Sequence, residues 1–359
     1  MDPQPAKGNP ELNRLSVAPR RPVRLSDIAR LANVSTSAVS LALNGRPGVS
    51  SRTRQRILDI AADAGWFPNA AARALVGART GIVGLVLTRD PRDIGTEPFY
   101  MSFIAGLEAS LSQSATGLLL QFADDERAEV DTYRRWVAER RIDGLILVDL
   151  RVNDGRLGVL RDLGACFIVV GDPQYASEAP AIWSDDARAV AGTIRRLTEL
   201  GHRRFARISE RTTMAHTAIR NSAFVTTCAE LKLPAPVLRE AEPSAVGSRA
   251  ATAAVLEAST PPTAILYDNN IMAVAGLGVA HQRGLRVPED ISLVAYDDSL
   301  LCESTHPSLS AISHDVHRYG EQAGTLLLEV ITGQAPQARL DSVPVLIERG
   351  STGPAPRAS

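Results

Sequence analysis

The sequence predicts an α/β protein in which a small three-helix N-terminal unit precedes a body of two doubly wound parallel-sheet lobes. Three observations predict it. Short continuous apolar runs alternate with helix-period segments through most of the chain, as strands covered on both faces require. Three closely spaced helical patterns fill a short stretch near the N-terminus. That stretch also differs in charge from everything after it. At 359 residues the chain exceeds one typical domain, so two or three folding units are expected.

The net charge of −1 hides a strong asymmetry. Arg20 to Thr80 holds ten arginines and three aspartates, net +7, which leaves about −8 for the remainder. A basic, aromatic-poor unit beside an acidic body implies that only the first unit meets a polyanion. Cys166, Cys228 and Cys302 are odd in number and widely spaced, which argues against a disulfide framework or a paired-cysteine zinc site and for the cytoplasm. No apolar run reaches the roughly 18 residues that span a bilayer, so no membrane partner is expected. Met1–Pro22 is polar and proline-rich, without a secretory apolar region, and residues 1–23 read as a disordered leader.

Within residues 24–65, Ser26 reads as the N-cap of a first helix carrying Ile28, Ala29, Leu31 and Ala32, with Asp27 in its first turn. Asn33 tolerates the left-handed backbone of a tight turn, and Val34 anchors that turn. Ser35 caps a second helix, Thr36 to Asn44, which turns Val39, Ala42 and Leu43 inward and Thr36, Ser37, Ser40 and Leu41 outward. Gly45–Gly48 is a loop. Ser50 or Ser51 starts a third helix, Arg52 to Ala64, and Gly65 ends it. Small polar residues at a helix start can approach base edges in a major groove, with Arg46, Arg52 and Arg54 as phosphate anchors. Pro68–Leu75 reads as a short helix capped by Asn69, within a linker of residues 66–80.

In the body, residues 81–350, the strand-like runs are Ile82–Leu87, Gly117–Phe122, Gly144–Leu150 and Cys166–Gly171. Phe205–Ser209, Ala264–Asp268 and Ile291–Asp298 form a second series. Helical patterns such as Phe99–Ser112 and Glu129–Arg140 separate them, giving right-handed βαβ units whose ligands bind outside the carboxyl ends of the strands. Residues 351–359 read as a tail.

Leu25 to Leu75 carries the pattern DIA…A-x-VS…VS…LN…VS…TR..I…A…GW.PN.AAR.L and resembles the DNA-binding headpiece of the lactose-repressor (LacI/GalR) family. The body resembles that family's effector domain, similar to periplasmic sugar-binding proteins, through segments including RRIDGLILV, LTELGHRRFARI and VPEDISLVAYDD. The resemblance implies a transcriptional repressor that binds double-stranded operator DNA as a homodimer under control of a small-molecule effector, a sugar or sugar derivative. It implies base reading by Thr36, Ser37 and Leu41 with Ser40 and Asn44 nearby. It further implies a DNA-formed hinge helix in which Arg73 contacts the groove or phosphates and Leu75 wedges into the minor groove. In the body it implies an effector site of Phe99, Tyr100, Trp183, Arg220 and Asn270, and three crossings between lobes that return residues near Ala311 to Thr332 to the first lobe. Leu41 stands where many members have Arg or His, and Asn270 where the family has an acidic residue. The second departure leaves open an effector-independent regulator on the same scaffold.

Other chemistry has weaker support. His314 and His317 lack a third ligand for zinc, Gly276-x-Gly278 lies inside a helical pattern, and Asp297–Asp298 are adjacent on a strand and point to opposite faces. No cofactor and no enzymatic activity are expected. A secreted solute-binding protein would explain the body but not the basic headpiece. The wedge reading makes Leu75→Ala weaken specific operator binding while leaving salt-sensitive non-specific binding nearly intact; gel shifts showing equal losses in both would contradict it.

Overall fold

The computed structural model describes residues 23–43, 46–66, 79–89, 98–242 and 244–357. The chain divides into two units, Met1–Ala78 and Arg79–Ser359. The expectations for the leader, Asn44, Asn69, Arg73 and Leu75 lie outside the described residues.

In the first unit, helices α1 (Leu25–Ala32), α2 (Thr36–Leu43) and α3 (Ser51–Asp63) close over Ile28, Ala29, Ala32, Val39, Ala42, Ile57 and Ala61. The first helix starts earlier than its Ser26 cap predicts. Arg24 is the cap residue, and its amide donates to the Asp27 carboxylate at 2.9 Å, so Ser26 lies inside the first turn. Asn33 adopts the left-handed conformation (φ 51°, ψ 50°) that turns the chain from α1 to α2. Ser35 accepts from the Ala38 amide at 3.1 Å and Ser50 from the Thr53 amide at 3.2 Å, which caps α2 and α3.

The second unit holds two six-stranded sheets. The first takes β1 (Ile82–Leu87), β2 (Gly117–Phe122), β3 (Gly144–Leu147), β4 (Phe167–Val170), β5 (Ala181–Ser184) and β11 (Arg339–Ser342), all parallel, in the order β11-β5-β4-β3-β1-β2. The second takes β6 (Phe205–Ser209), β7 (Val237–Glu240), β8 (Ala264–Tyr267), β9 (Ser292–Tyr296), β10 (Ser310–Ser313) and β12 (Val345–Ile347), in the order β12-β10-β9-β8-β6-β7, with only β12 antiparallel. The central strands of each sheet are covered on both faces. Along β1, Val83, Leu85 and Leu87 face a core with α4 (Pro98–Gln113) and α12 (Val316–Ile331), while Val86 faces Trp136 on α5 (Glu126–Ala138) and Leu157 on α6 (Gly155–Asp162). In the second lobe, Ile208 and Ile265 meet α9 (Ala245–Leu256) and α10 (Asn270–Gln282). Phe205 and Leu266 meet α7 (Asp186–Glu199) and α8 (Ala215–Glu230).

Several sequence expectations shift. The edge strands β2 and β7 are largely exposed rather than doubly covered, and β5, β7, β10, β11 and β12 were not distinguished as apolar runs. Ala311 pairs with Ala295 in the second sheet, so the first lobe regains only α12 and β11. The expected tail is packed: Ser351 is fully buried, its hydroxyl donating to the Leu293 carbonyl at 2.6 Å, and the Ala355 amide donates to Leu200.

Helices α4 and α12 approach closely enough that a Cβ on Gly106 would collide with the His317 carbonyl, and one on Gly320 with the Phe103 carbonyl. Backbone on both sides cannot yield as a side chain can. Gly320→Ala is therefore expected to cost at least about 2 kcal/mol by overpacking, read as a lowered melting temperature of the body; an unchanged melting temperature would show that the helices separate freely.

Candidate functional site

Each sheet reverses its winding once, β1 beside β3 in the first lobe and β6 beside β8 in the second. Crevices at such switch points, outside the carboxyl ends of the strands, are where open α/β sheets bind ligands. Both open onto one cavity of about 120 Å³. Its lining residues largely follow strands directly: Arg89 after β1, Asp149 after β3, Gly171 and Asp172 after β4, Glu210 after β6, Asp268 and Asn269 after β8, and Asp297 after β9. Phe99, Tyr100 and Phe103 of α4, with Tyr319 of α12, give one wall its aromatic face. Phe99 and Phe103 lie parallel with ring centroids 6.1 Å apart, and Phe99 meets Tyr100 edge-on at 5.4 Å.

Two buried ion-pair groups organise the polar wall. Arg89 grips Asp149 with two donors, at 3.0 and 3.1 Å, and the Tyr100 hydroxyl donates to the same carboxylate at 2.8 Å. Burial alone would raise the Asp149 carboxyl, but Arg89 and the Tyr100 hydrogen bond hold it well below the usual range. Arg220, on α8, donates from Nε to Asp186 at 2.7 Å and from a terminal nitrogen to Asp268 at 3.2 Å. Its guanidinium carbon lies 3.4 Å from the Tyr296 ring centroid. Asp268 also receives Arg207, the Glu210 amide at 2.8 Å and the Thr217 hydroxyl at 3.0 Å. Burial opposes its ionisation, yet Arg207 and Arg220 keep it low. His216, one turn before Arg220, is pushed down to about 4 by burial and then by the Arg220 charge, so it is neutral near pH 7.

Glu210 has the opposite balance. It is 6% exposed, accepts from the Asn269 side chain at 3.3 Å, and lies 3.9 Å from Arg89 across the cleft. Burial pushes it up to about 7; Arg89 and Arg220 oppose that, while Asp268 and Asp149 add to it. Asp297 is raised by burial too, against the pull of Arg220, and among the described residues its buried Oδ1 has no hydrogen-bond partner.

Of the predicted effector residues, Phe99, Tyr100 and Arg220 line the cavity, while Trp183 and Asn270 do not. Both miss by one position. On β5 the neighbouring Ser184 lines the cavity in place of Trp183, and Asp186 serves where Asp185 is only the cap of α7. Asn269 ends its strand turn at the cavity, whereas Asn270 begins α10 and donates to Ser299 at 3.0 Å. Asp297 was read as a strand residue; it lies past the end of β9 at φ 61°, which swings it into the cavity while Asp298 pairs with Arg349 at 2.7 Å. Arg89, Asp149, Glu210 and His216 were missed. Their signal was position, within two residues of a strand end or in the first turn of the next helix.

On the first unit, Thr36 and Ser37 are exposed at the start of α2, although the Ser37 hydroxyl lies 2.8 Å from that of Ser35. Ser40 and Leu41 are half-buried, and Leu41 packs toward Gly48. Arg46 and Arg52 are exposed, but Arg54 donates to the Arg46 carbonyl at 2.5 Å and so braces the loop before α3.

A family model described as bacterial regulatory proteins, lacI family, matches residues 24–69, and one described as periplasmic binding protein-like domain matches residues 194–352. The transcriptional regulator RafR of Escherichia coli is 30% identical, the match covering 88% of this chain and 94% of RafR. The crystal structure of a LacI family transcriptional regulator from Bifidobacterium animalis subsp. lactis is 32% identical with a TM-score of 0.73, covering 77% of this chain and 100% of that one. The structure of a transcriptional regulator CelR–cellobiose complex is 25% identical with a TM-score of 0.71, covering 92% and 100%.

The electrostatics of the cavity make one outcome measurable. In the unfolded chain a glutamate releases its proton near 4.5, whereas Glu210 in the fold, facing Arg89, Asp149, Asp268 and Arg220, holds it to about 7. Between these values the unfolded state binds fewer protons, so Glu210 makes stability fall as pH rises. Glu210→Gln removes that slope, and the variant should gain on the parent by up to roughly 3 kcal/mol between pH 4.5 and 7.5. Melting curves with a constant difference across that window would rule out the titration.

Proposed function

Because the chain belongs to the lacI family of bacterial regulatory proteins, and is thus a transcriptional regulator rather than an enzyme, we propose that it is a dimeric repressor of carbohydrate or related small-molecule metabolism genes. It acts in the cytoplasm on a pseudo-palindromic operator, each headpiece reading one half-site, and a small molecule in the interlobe cleft sets its affinity for DNA. The carrying observation is the cavity shared by the two switch points, where aromatic side chains lie beside fixed polar groups, a combination suited to a sugar ring.

DNA binding is supported by the exposed polar start of α2 beside Arg46 and Arg52, and by the charge of +7 over Arg20–Thr80. Leu41 offers only apolar contact, such as a thymine methyl, at its groove position. Asn44, Asn69, Arg73 and Leu75 take their roles from the family pattern. A sugar-type effector is supported by the cellobiose bound to CelR and by the place of Phe99, Tyr100 and Arg220 in the cavity. Pairing of two chains takes its support from the family resemblance. Coupling is reciprocal: whatever factor the effector imposes on DNA affinity, typically about 5–150-fold, DNA imposes on effector affinity.

Gel shifts with the DNA flanking its own and neighbouring genes test the reading. Specific binding that responds to a metabolite of those genes is expected, and failure to bind any duplex would overturn it. Arg220→Lys keeps a cation between Asp186 and Asp268 but loses the planar fork. It should retain operator binding while losing most of the effector response; a full response would remove Arg220 from the effector site.

A further inference from the structure

The described wall of the cleft holds more carboxyl groups than cations to pair them. Among the described residues its wall contains six carboxyl groups and two guanidinium groups. Both guanidiniums are committed, Arg89 to Asp149 and Arg220 to Asp186 and Asp268. Asp172, Glu210 and Asp297 then have no guanidinium within hydrogen-bond distance among the described residues. Glu210 reaches Arg89 only at 3.9 Å, and Asp172 accepts from the Gln174 amide, a neutral partner. The Oδ1 atom of Asp297 is buried and has no hydrogen-bond partner among the described residues. His216 supplies no charge near pH 7, and His314, 3.8 Å from Asp341, lowers Asp297 without hydrogen-bonding to it.

These groups select against one ligand class and for another. A carboxylate or phosphate on the effector would have to displace an internal ion pair and would still face the unmatched carboxyls. A neutral hydroxyl donates one hydrogen bond to a carboxyl group but brings no cation to hold it ionised. A protonated amine donates three hydrogen bonds, accepts none and carries the missing charge, and a water-poor site strengthens that match. Phe99, half-buried at the cavity, can take the apolar face of a ring, and the Tyr100 ring already tolerates a cation, the Arg89 guanidinium 5.2 Å from its centroid.

We propose that the effector carries a protonated amine on a polyhydroxylated ring, an amino sugar, with its ammonium against Glu210 and Asp297. This deepens, and rests on, the reading of the cavity as the effector site.

Calorimetry and thermal shift on the full chain test it with glucosamine and galactosamine, each against its neutral parent sugar and its N-acetyl form, and with glucuronate as the anionic comparison. At least one amino sugar is expected to bind tenfold or more tightly than its parent and its N-acetyl form, with no binding of glucuronate. Glu210→Gln, and independently Asp297→Asn, should shrink that ratio severalfold, with operator binding as the check that each variant is folded. Parent sugars binding as tightly as the amines would overturn the amine assignment and leave the effector site standing. An unchanged ratio in both folded variants would overturn the placement of the ammonium. Binding by none of these compounds would overturn the proposal, while an effector response to another metabolite in the gel shift would keep the broader reading.

Discussion

One carboxylate, that of Asp268, ties the second lobe to its cleft. It is 3% exposed and receives two arginines, a backbone amide and a threonine hydroxyl. An isolated charge so deeply placed would be untenable, and only dense pairing makes it permissible. The pairing has structural consequences in every direction. Arg207 is held in β6, Arg220 is held over Tyr296 and against Asp186, and the loop carrying Glu210 is pinned by its amide. Removal of any one partner leaves charge uncompensated in the others.

The first lobe repeats the device with other residues. Arg156, 2% exposed, pairs with Asp154 and Glu129 and donates to the Asp149 carbonyl at 2.8 Å. Asp149, in the left-handed conformation, is thereby presented to Arg89 and Tyr100. The lobes also meet through backbone: the Val152 amide donates to Thr213 at 2.9 Å and the Ala215 amide to Leu150 at 2.8 Å. The cleft is therefore bounded by mutually braced groups from both lobes.

Much of this was legible beforehand. The apolar runs at Ile82–Leu87 and Phe205–Ser209 became strands with those limits, because a buried parallel strand is continuous in its hydrophobicity. Asn33 and Ser50 declared the turn and cap they form, since both act within a few residues. Strands such as Ser310–Ser313 and Arg339–Ser342 escaped notice because their polar residues are satisfied by distant partners. Trp183 and Asn270 were each one residue from the cavity, an error that matters because side chains alternate faces on a strand and rotate on entering a helix.

The sequence by itself determined the composite architecture, the basic N-terminal unit, the family and the strand ends from which a cleft must be built. These follow from periodicity, local charge and caps, all readable over a few residues. Tertiary structure alone decided which charges neutralise one another. Arg220 faces Asp186 and Asp268 across 34 and 48 positions of chain, and Arg89 faces Asp149 across 60. Whether a carboxylate is matched or left over depends on these long-range pairings and on desolvation, which no local pattern encodes. The surplus at Glu210 and Asp297 exists only once the two sheets bring their switch points together.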